Sequence, residues 1–129
     1  MTQYGGVNNT NGGVIYKVLP DGSGFTVLLV FDDYSGFGTT GKRPKGSLIS
    51  DGTYLYGMTE YGGQFDKGTI FKILPDGTGF TKLLDFNGSN GYRPWGNLIY
   101  DGNYLYGMTP FGGASWNGTT AFKTCPYSE

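Results

Sequence analysis

The run Arg43-Pro44-Lys45-Gly46-Ser47-Leu48-Ile49-Ser50-Asp51-Gly52-Thr53-Tyr54-Leu55-Tyr56-Gly57-Met58-Thr59 comes back without a gap, 50 residues later, over 93–109. A second run, 15–26, returns as 70–81 at an offset of 55. The hexapeptide Met1-Thr2-Gln3-Tyr4-Gly5-Gly6 recurs with small changes at 58–63 and 108–113. A period of this length marks a stacked or circular architecture made from one supersecondary unit. The chain therefore reads as a single repeat domain, with a partial unit over 1–57, a full unit over 58–107 and a partial unit over 108–129. The two offsets differ because the first unit carries extra residues in 32–42, and insertions between matched strands belong in surface loops.

Each unit divides into four short strand-like runs separated by turn signals. In the complete unit these are 53–59, entered through Asp51-Gly52; 69–74, closed by Pro75-Asp76-Gly77; 80–86; and 96–100, which leads into Asp101-Gly102. Asp-Gly suits a tight primed turn, because glycine takes positive φ freely and aspartate tolerates it. No stretch places apolar residues at i, i+3, i+4 and i+7. The 25 Gly, 11 Tyr and 9 Phe instead favour turns and pleated surfaces.

The fold predicted is all-β: about two four-stranded antiparallel blades of a β-propeller, permuted in sequence. A β-solenoid would use shorter repeats without successive Asp-Gly hairpins, and a Greek-key sandwich has no need of repeated strands. With the runs labelled A to D from the axis outward, strand A is buried on both faces. That accounts for Tyr54-Leu55-Tyr56-Gly57-Met58, apolar on both sides with a glycine at the crowded point. Its tyrosine hydroxyls then need partners. Lys17, Lys72 and Lys123 recur mid-strand, where a lysine is expected to snorkel or meet a carboxylate.

Composition excludes several kinds of chemistry. A net charge of −1 withholds the basic footprint of a nonspecific nucleic-acid binder. The one basic cluster, Lys42-Arg43-Lys45, is offset by Asp32-Asp33 and reads as a solvated loop. No apolar run approaches the ~20 residues of a membrane span. The opening residues show no charged region followed by an apolar one, so an export signal is expected outside this stretch. The lone cysteine, Cys125, gives no intrachain disulfide. With no histidine at all, a zinc site lacks ligands and the Ser-His-Asp and Cys-His triads lack a base. Asp21, Asp51, Asp76 and Asp101 each stand alone before glycine, without the paired spacing of a calcium loop, and are assigned to turns. No cofactor and no metal are expected.

The pattern Leu-Tyr-Gly-Met-Thr-Glu-Tyr-Gly-Gly at 55–63, then Gly-Thr-Ile-Phe-Lys-Ile-Leu-Pro-Asp-Gly at 68–77, then Phe86-Asn87-Gly88 and Pro94-Trp95-Gly96-Asn97-Leu98-Ile99, resembles the GloVer-type tandem repeat of bacterial choice-of-anchor surface proteins. The likeness covers essentially the whole chain. It implies a propeller-like array in long exported proteins, a location outside the cell or on its surface, and no catalytic motif. The units present are too few for a ring, so the chain is expected to be a piece of one.

In the blade labelling the chain runs from the tail of an A strand (1–2) through B (14–19), C (25–31) and D (47–50). A full set (53–100) follows, then A (103–109) and B (120–123). Two blades leave inter-blade faces and strand edges open, which invites association. A homo-oligomer is expected, in which strand 103–109 of one copy completes the B-C-D sheet of the next and heterologous contacts close the ring. The final B strand would be surplus.

The loops joining A to B vary most, 62–67 against 112–117. Trp116, Trp95, Phe65 and Tyr92 are the aromatic candidates for stacking on sugar rings. Arg43 and Arg93, each before a proline, are candidates for an anionic group, for a structural ion pair or for a carbonyl contact. The sequons at Asn8, Asn87 and Asn117 read as idle in a bacterial protein. Asp32, Asp33, Glu60, Asp66 and Asp85 are the acids outside the repeat pattern. No residue is assigned as catalytic. The leading function is a non-catalytic recognition or scaffolding module with carbohydrate as its ligand class. The alternatives are a polysaccharide hydrolase or lyase using axial carboxylates, and a purely structural repeat.

Overall fold

A computed structural model describes residues 1–6, 11–31, 40–113 and 120–124. These form nine strands: β1 (Val14–Lys17), β2 (Thr26–Val30), β3 (Lys42–Ser50), β4 (Leu55–Tyr61), β5 (Thr69–Ile73), β6 (Thr81–Asp85), β7 (Ile99–Tyr100), β8 (Leu105–Thr109) and β9 (Thr120–Thr124). They make three antiparallel sheets, β1-β2, β3-β4-β5-β6 and β7-β8-β9. Thr2 bridges Val14 and so adds the tail of a further strand to the first sheet. The described residues are all-β, with no closed ring and no helix long and apolar enough to cross a membrane.

The expected grouping of strands is corrected at D. Residues 47–50 do not end the sheet before them. They open the next one, with Ser50 opposite Leu55 and Ile49 opposite Tyr56, and β7 joins β8 in the same way. The cause is the Asp-Gly turn. Asp51 Oδ1 accepts the N–H groups of Thr53 and Tyr54 at 2.8 and 2.7 Å, and the Asp51 N–H donates to the Tyr54 carbonyl at 3.2 Å. So short a connection makes its two flanking strands antiparallel neighbours. The longer stretch from β6 to β7 carries the chain to the next sheet. Each unit is thus a meander in the order D-A-B-C. The expected exchange of strand 103–109 between copies meets an obstacle, because β9 already lies along β8 from Leu105↔Thr124 to Thr109↔Thr120.

The middle sheet is packed on both faces. One face sets Tyr56, Met58 and Ile70, with Phe86, against Leu98 and Leu105 of the third sheet's unit. The other sets Phe71 and Ile73, with Leu48, Leu55 and Phe80, against Ile15, Phe31, Leu28, Leu29 and Met1 of the first. Translated by the repeat, these are one interface made twice: Met1, Ile15 and Phe31 stand where Met58, Ile70 and Phe86 stand, and Leu48 and Leu55 where Leu98 and Leu105 stand. Successive strand positions point to opposite sides, so strand A needs apolar residues at every position.

Gly57 is the crowded position expected: a Cβ there would lie 2.6 Å from Phe71 Cζ. The two D strands also touch one another. The Ser47 N–H donates to Asn97 Oδ1 at 2.8 Å, and the backbone at Gly46 abuts Gly96. Two of the mid-strand lysines lie over tyrosine rings. Lys72 Nζ lies 4.4 Å from the Tyr54 ring centroid and Lys123 Nζ 4.7 Å from that of Tyr104, which are matched pairs.

Candidate functional site

The basic cluster read as a solvated loop is the first half of β3. Lys42 pairs with Asp66 Oδ1 at 3.7 Å, and Lys45 with Glu60 Oε2 at 3.6 Å. A strand position opposite 58–61 replaces the loop because Lys42 faces Tyr61 and Pro44 faces Thr59 in the β4 register. The repeat carries the same segment over 91–96, where Tyr92 bridges Phe111.

Arg43 and Arg93 occupy identical and unusual backbone positions. Their φ angles are 56° and 54°, in the left-handed region that costs a non-glycine residue about 1–3 kcal/mol. Each also precedes a proline, which disfavours compact backbone. Local contacts enforce the conformation in both units. The Arg43 N–H donates to the Gly12 carbonyl at 2.7 Å, and the Arg93 N–H to that of Lys67 at 2.9 Å. Pro44 and Pro94 pack over Gly13 and Gly68, where a Cβ would come within 2.6 and 2.7 Å of the ring.

The result is a ladder of guanidinium groups and rings. Arg43 Cζ lies 5.5 Å from the Tyr4 centroid and 5.2 Å from that of Tyr61, and Arg93 Cζ lies 4.8 Å from Tyr61. Neither arginine forms an ion pair or side-chain hydrogen bond with another described residue, and the buried Nε of Arg43 has no acceptor. Each arginine thus meets a carbonyl through its backbone N–H, while its side chain stacks on rings.

Glu60, 7% exposed, is the hub beside this ladder. Its Oε1 accepts the Trp95 indole N–H at 3.0 Å. Its Oε2 accepts from Gln3 Nε2 at 3.4 Å, and the same amide reaches the Tyr4 hydroxyl at 3.3 Å. Lys45 Nζ sits 5.4 Å from the Trp95 centroid. Three of the expected site residues, Arg43, Arg93 and Trp95, thus converge through Tyr61 and Glu60. Trp95 and Tyr4 flank the group half-exposed, at 51% and 52%. Tyr92 is committed elsewhere, stacked on Phe111 at 5.3 Å with Lys67 Nζ 5.0 Å from its centroid. Phe65 stands exposed in the 62–68 loop, and Trp116 lies outside the described residues. Gln3, Tyr4, Glu60 and Tyr61 were missed as site residues. Their signal was present, since they occupy the repeated hexapeptide in the same phase as the repeated Arg-Pro.

The described acids are each engaged locally. Asp51 and Asp101 cap their hairpins and accept the hydroxyls of Tyr56 and Tyr106 at 2.7 and 2.8 Å. Asp21 accepts the N–H and hydroxyl of Ser23, and Asp76 those of Thr78. The hydroxyl bonds foremost hold Asp21 and Asp76 below the usual aspartate value of 3.8. For Asp101 the Tyr104 N–H leads, followed by those of Asn103 and the Tyr106 hydroxyl. At Asp51 burial pushes the value upward, but the Tyr56 hydroxyl and two N–H groups outweigh it and the net shift is downward. Asp85 binds Lys82 at 2.9 Å and the Gln64 N–H at 2.8 Å, and Asp66 caps Gly62 at 2.8 Å. Among the described residues no group of three His, Cys, Asp or Glu could hold a metal ion.

No curated protein and no solved structure matches the chain. A family model does, the one described as the Gloeobacter/Verrucomicrobia repeat, and it covers residues 1–128. With the repeated hexapeptide, the repeated Arg-Pro and the repeated sheet interface all inside that span, the chain belongs to the Gloeobacter/Verrucomicrobia repeat family.

Proposed function

We propose that this chain is a non-catalytic recognition and scaffolding module of the bacterial cell surface, whose sheets act as propeller-type blades and whose open ends join copies head to tail. The observation that carries the reading is the fate of the repeated interface at the two ends. Met108, Ile99 and Tyr104 match residues that face the third sheet from the middle one, yet Met108 is 61% exposed where Met58 is 1% exposed. At the other end Tyr16, Val18 and Phe25 match Phe71, Ile73 and Phe80. Tyr16 and Phe25 keep the ring contact of the buried pair, with centroids 5.3 Å apart against 5.6 Å. The two open faces are therefore the two halves of an interface the chain already makes twice. A contact between them is heterologous, and such contacts close into rings when the rotation allows. Burying each large apolar side chain is worth about 1.5–3 kcal/mol.

Since β9 holds the edge of β8, this joining works through sheet faces and needs no exchange of strands. Light scattering over a concentration series tests it: the mass should rise to a fixed multiple of the monomer, and Met108→Glu and Phe25→Glu should each return it to monomer. A wild-type chain that stays monomeric at high concentration overturns the proposal.

Carbohydrate is the ligand class that the recognition half of this reading favours, on the half-exposed Trp95 and Tyr4 beside a cluster of polar groups. Sites of this kind combine apolar or aromatic walls with a few placed polar groups.

A further inference from the structure

We infer that the Arg43–Tyr61–Arg93 ladder is a carboxylate-binding site for an acidic polysaccharide, one whose sugar rings carry uronate groups. The inference rests on the recognition half of the reading above and adds the charge of the ligand.

Charge is the first ground. Arg43 and Arg93 both lean on Tyr61, next in sequence to Glu60, and Lys45 pairs with the Glu60 carboxylate. Two guanidinium groups lean on a single ring, and neither has a counter-charge among the described residues. Two guanidinium groups without a counter-charge among the described residues favour an anionic ligand over a neutral one.

Donor geometry is the second. A guanidinium stacked on rings keeps its edges free, and those edges match the two oxygens of a carboxylate in a fork that lysine cannot form.

Backbone strain is the third. Glycine would hold the left-handed conformation at 43 and 93 without penalty, yet both positions carry arginine. Asp66, the other described non-glycine residue with positive φ, is of a type that tolerates it and uses its carboxylate to cap Gly62. The arginine side chains make no such bond, and what the strained backbone gains is the placing of two guanidinium groups at one ring.

Spacing decides between a small anion and a polymer. Arg43 lies in β3 and Arg93 in the matched segment before β7, and Tyr4 and Trp95 offer half-exposed rings beside them. A row of cations with flanking aromatic faces fits a chain of sugars bearing regularly placed carboxylates.

The test is calorimetric titration of the full chain with sodium polygalacturonate, neutral galactan, single-stranded DNA and inorganic phosphate. Polygalacturonate should bind, weakening as salt rises, and galactan should not. Arg93→Gln should weaken binding about tenfold or more, the usual worth of a charge-assisted hydrogen bond. Arg43→Lys keeps the charge and should also lose affinity, because the fork is gone. Thermal melts of both variants keep a folding defect distinct from a binding one. Equal binding of galactan, unchanged by either variant, overturns the acidic assignment while leaving carbohydrate recognition standing. Binding of single-stranded DNA or phosphate as tight as polygalacturonate overturns the sugar assignment, and no binding of any probe overturns the site. The mass measurement on assembly is read independently of all four.

Discussion

Met58 and Met108 are the same residue of the same repeated strand, one sealed between two sheets and the other open to solvent. Ile73 and Val18 make a second such pair, 0% and 44% exposed. Sequence alone gives the two members of each pair the same role, and position in the stack gives them opposite surroundings. The comparison teaches that in a repeat of this kind the interface between units, and not the residue type or its strand alone, decides what a side chain contributes. The middle sheet supplies both halves of that interface, and each end sheet supplies one half and displays the other.

The largest effect should come from cutting the apolar contact. Met58→Ala is expected to cost about 2–5 kcal/mol in urea unfolding, as for other buried methionines. Met108→Ala should stay within about 0.5 kcal/mol at dilutions that favour the monomer. If the two lose equally under those conditions, the end face is covered within one chain and the contrast is wrong. A Met108→Ala loss that appears only at high concentration would sharpen it into a measurement of assembly. Next in size is the hydroxyl pair. Tyr56→Phe removes a buried donor from Asp51 and should cost about 1.5–3 kcal/mol, the range for a hydrogen bond to a charged group. Tyr106→Phe removes the matched bond from an exposed site, and an effect beyond about 0.5 kcal/mol would break the comparison.

The same contrast separates what the sequence made legible from what it did not. The strands could be read because alternation and Asp-Gly turns are local, and Gly57 could be read because strand A carries apolar residues on both sides. The partner of strand D was misplaced: a run of apolar residues says that it is buried and not which neighbour buries it, although the two-residue hairpin at Asp51-Gly52 was itself the decisive clue. The site was half legible. Arg43, Arg93 and Trp95 stood out by type and by recurrence. Their meeting at Tyr61 and Glu60 depends on which strand of one unit faces which loop of another, and spacing along the chain does not encode that register. The ring beneath Lys72 was hidden for a related reason, since Tyr54 comes there only once strands A and B are paired.

Lys72 also supplies a smaller prediction. Lys72→Met should lose about 0.5–1 kcal/mol, the worth of a cation–π contact at a partly exposed site. Lys17→Met, at the matched position of the first sheet, should lose less, because no described ring lies beneath it. A double-mutant cycle with Tyr54→Leu checks the assignment: a coupling near zero would reduce the Lys72 contact to simple proximity.

The smallest effect at neutral pH concerns the turn aspartates, and it grows on acidification. Asp51 and Asp101 both have folded values held below 3.8, so each contributes stability that is complete above that pH and lost as pH falls through the depressed folded value. Asparagine still accepts the turn N–H groups but does not titrate, so Asp51→Asn and Asp101→Asn should each flatten the acid limb of a stability-against-pH curve. Protonation should have different structural consequences at the two turns. Loosening the Asp51 hairpin frees the hydroxyl of buried Tyr56, and so exposes the face shared with the third sheet. Loosening the Asp101 hairpin frees only the partly buried Tyr106, on a face with no further sheet against it among the described residues. Acid unfolding monitored by near-ultraviolet circular dichroism should therefore respond more to Asp51→Asn than to Asp101→Asn. Identical responses would mean that the hairpins open independently of the core, and that burial of strand A does not depend on the turn that starts it.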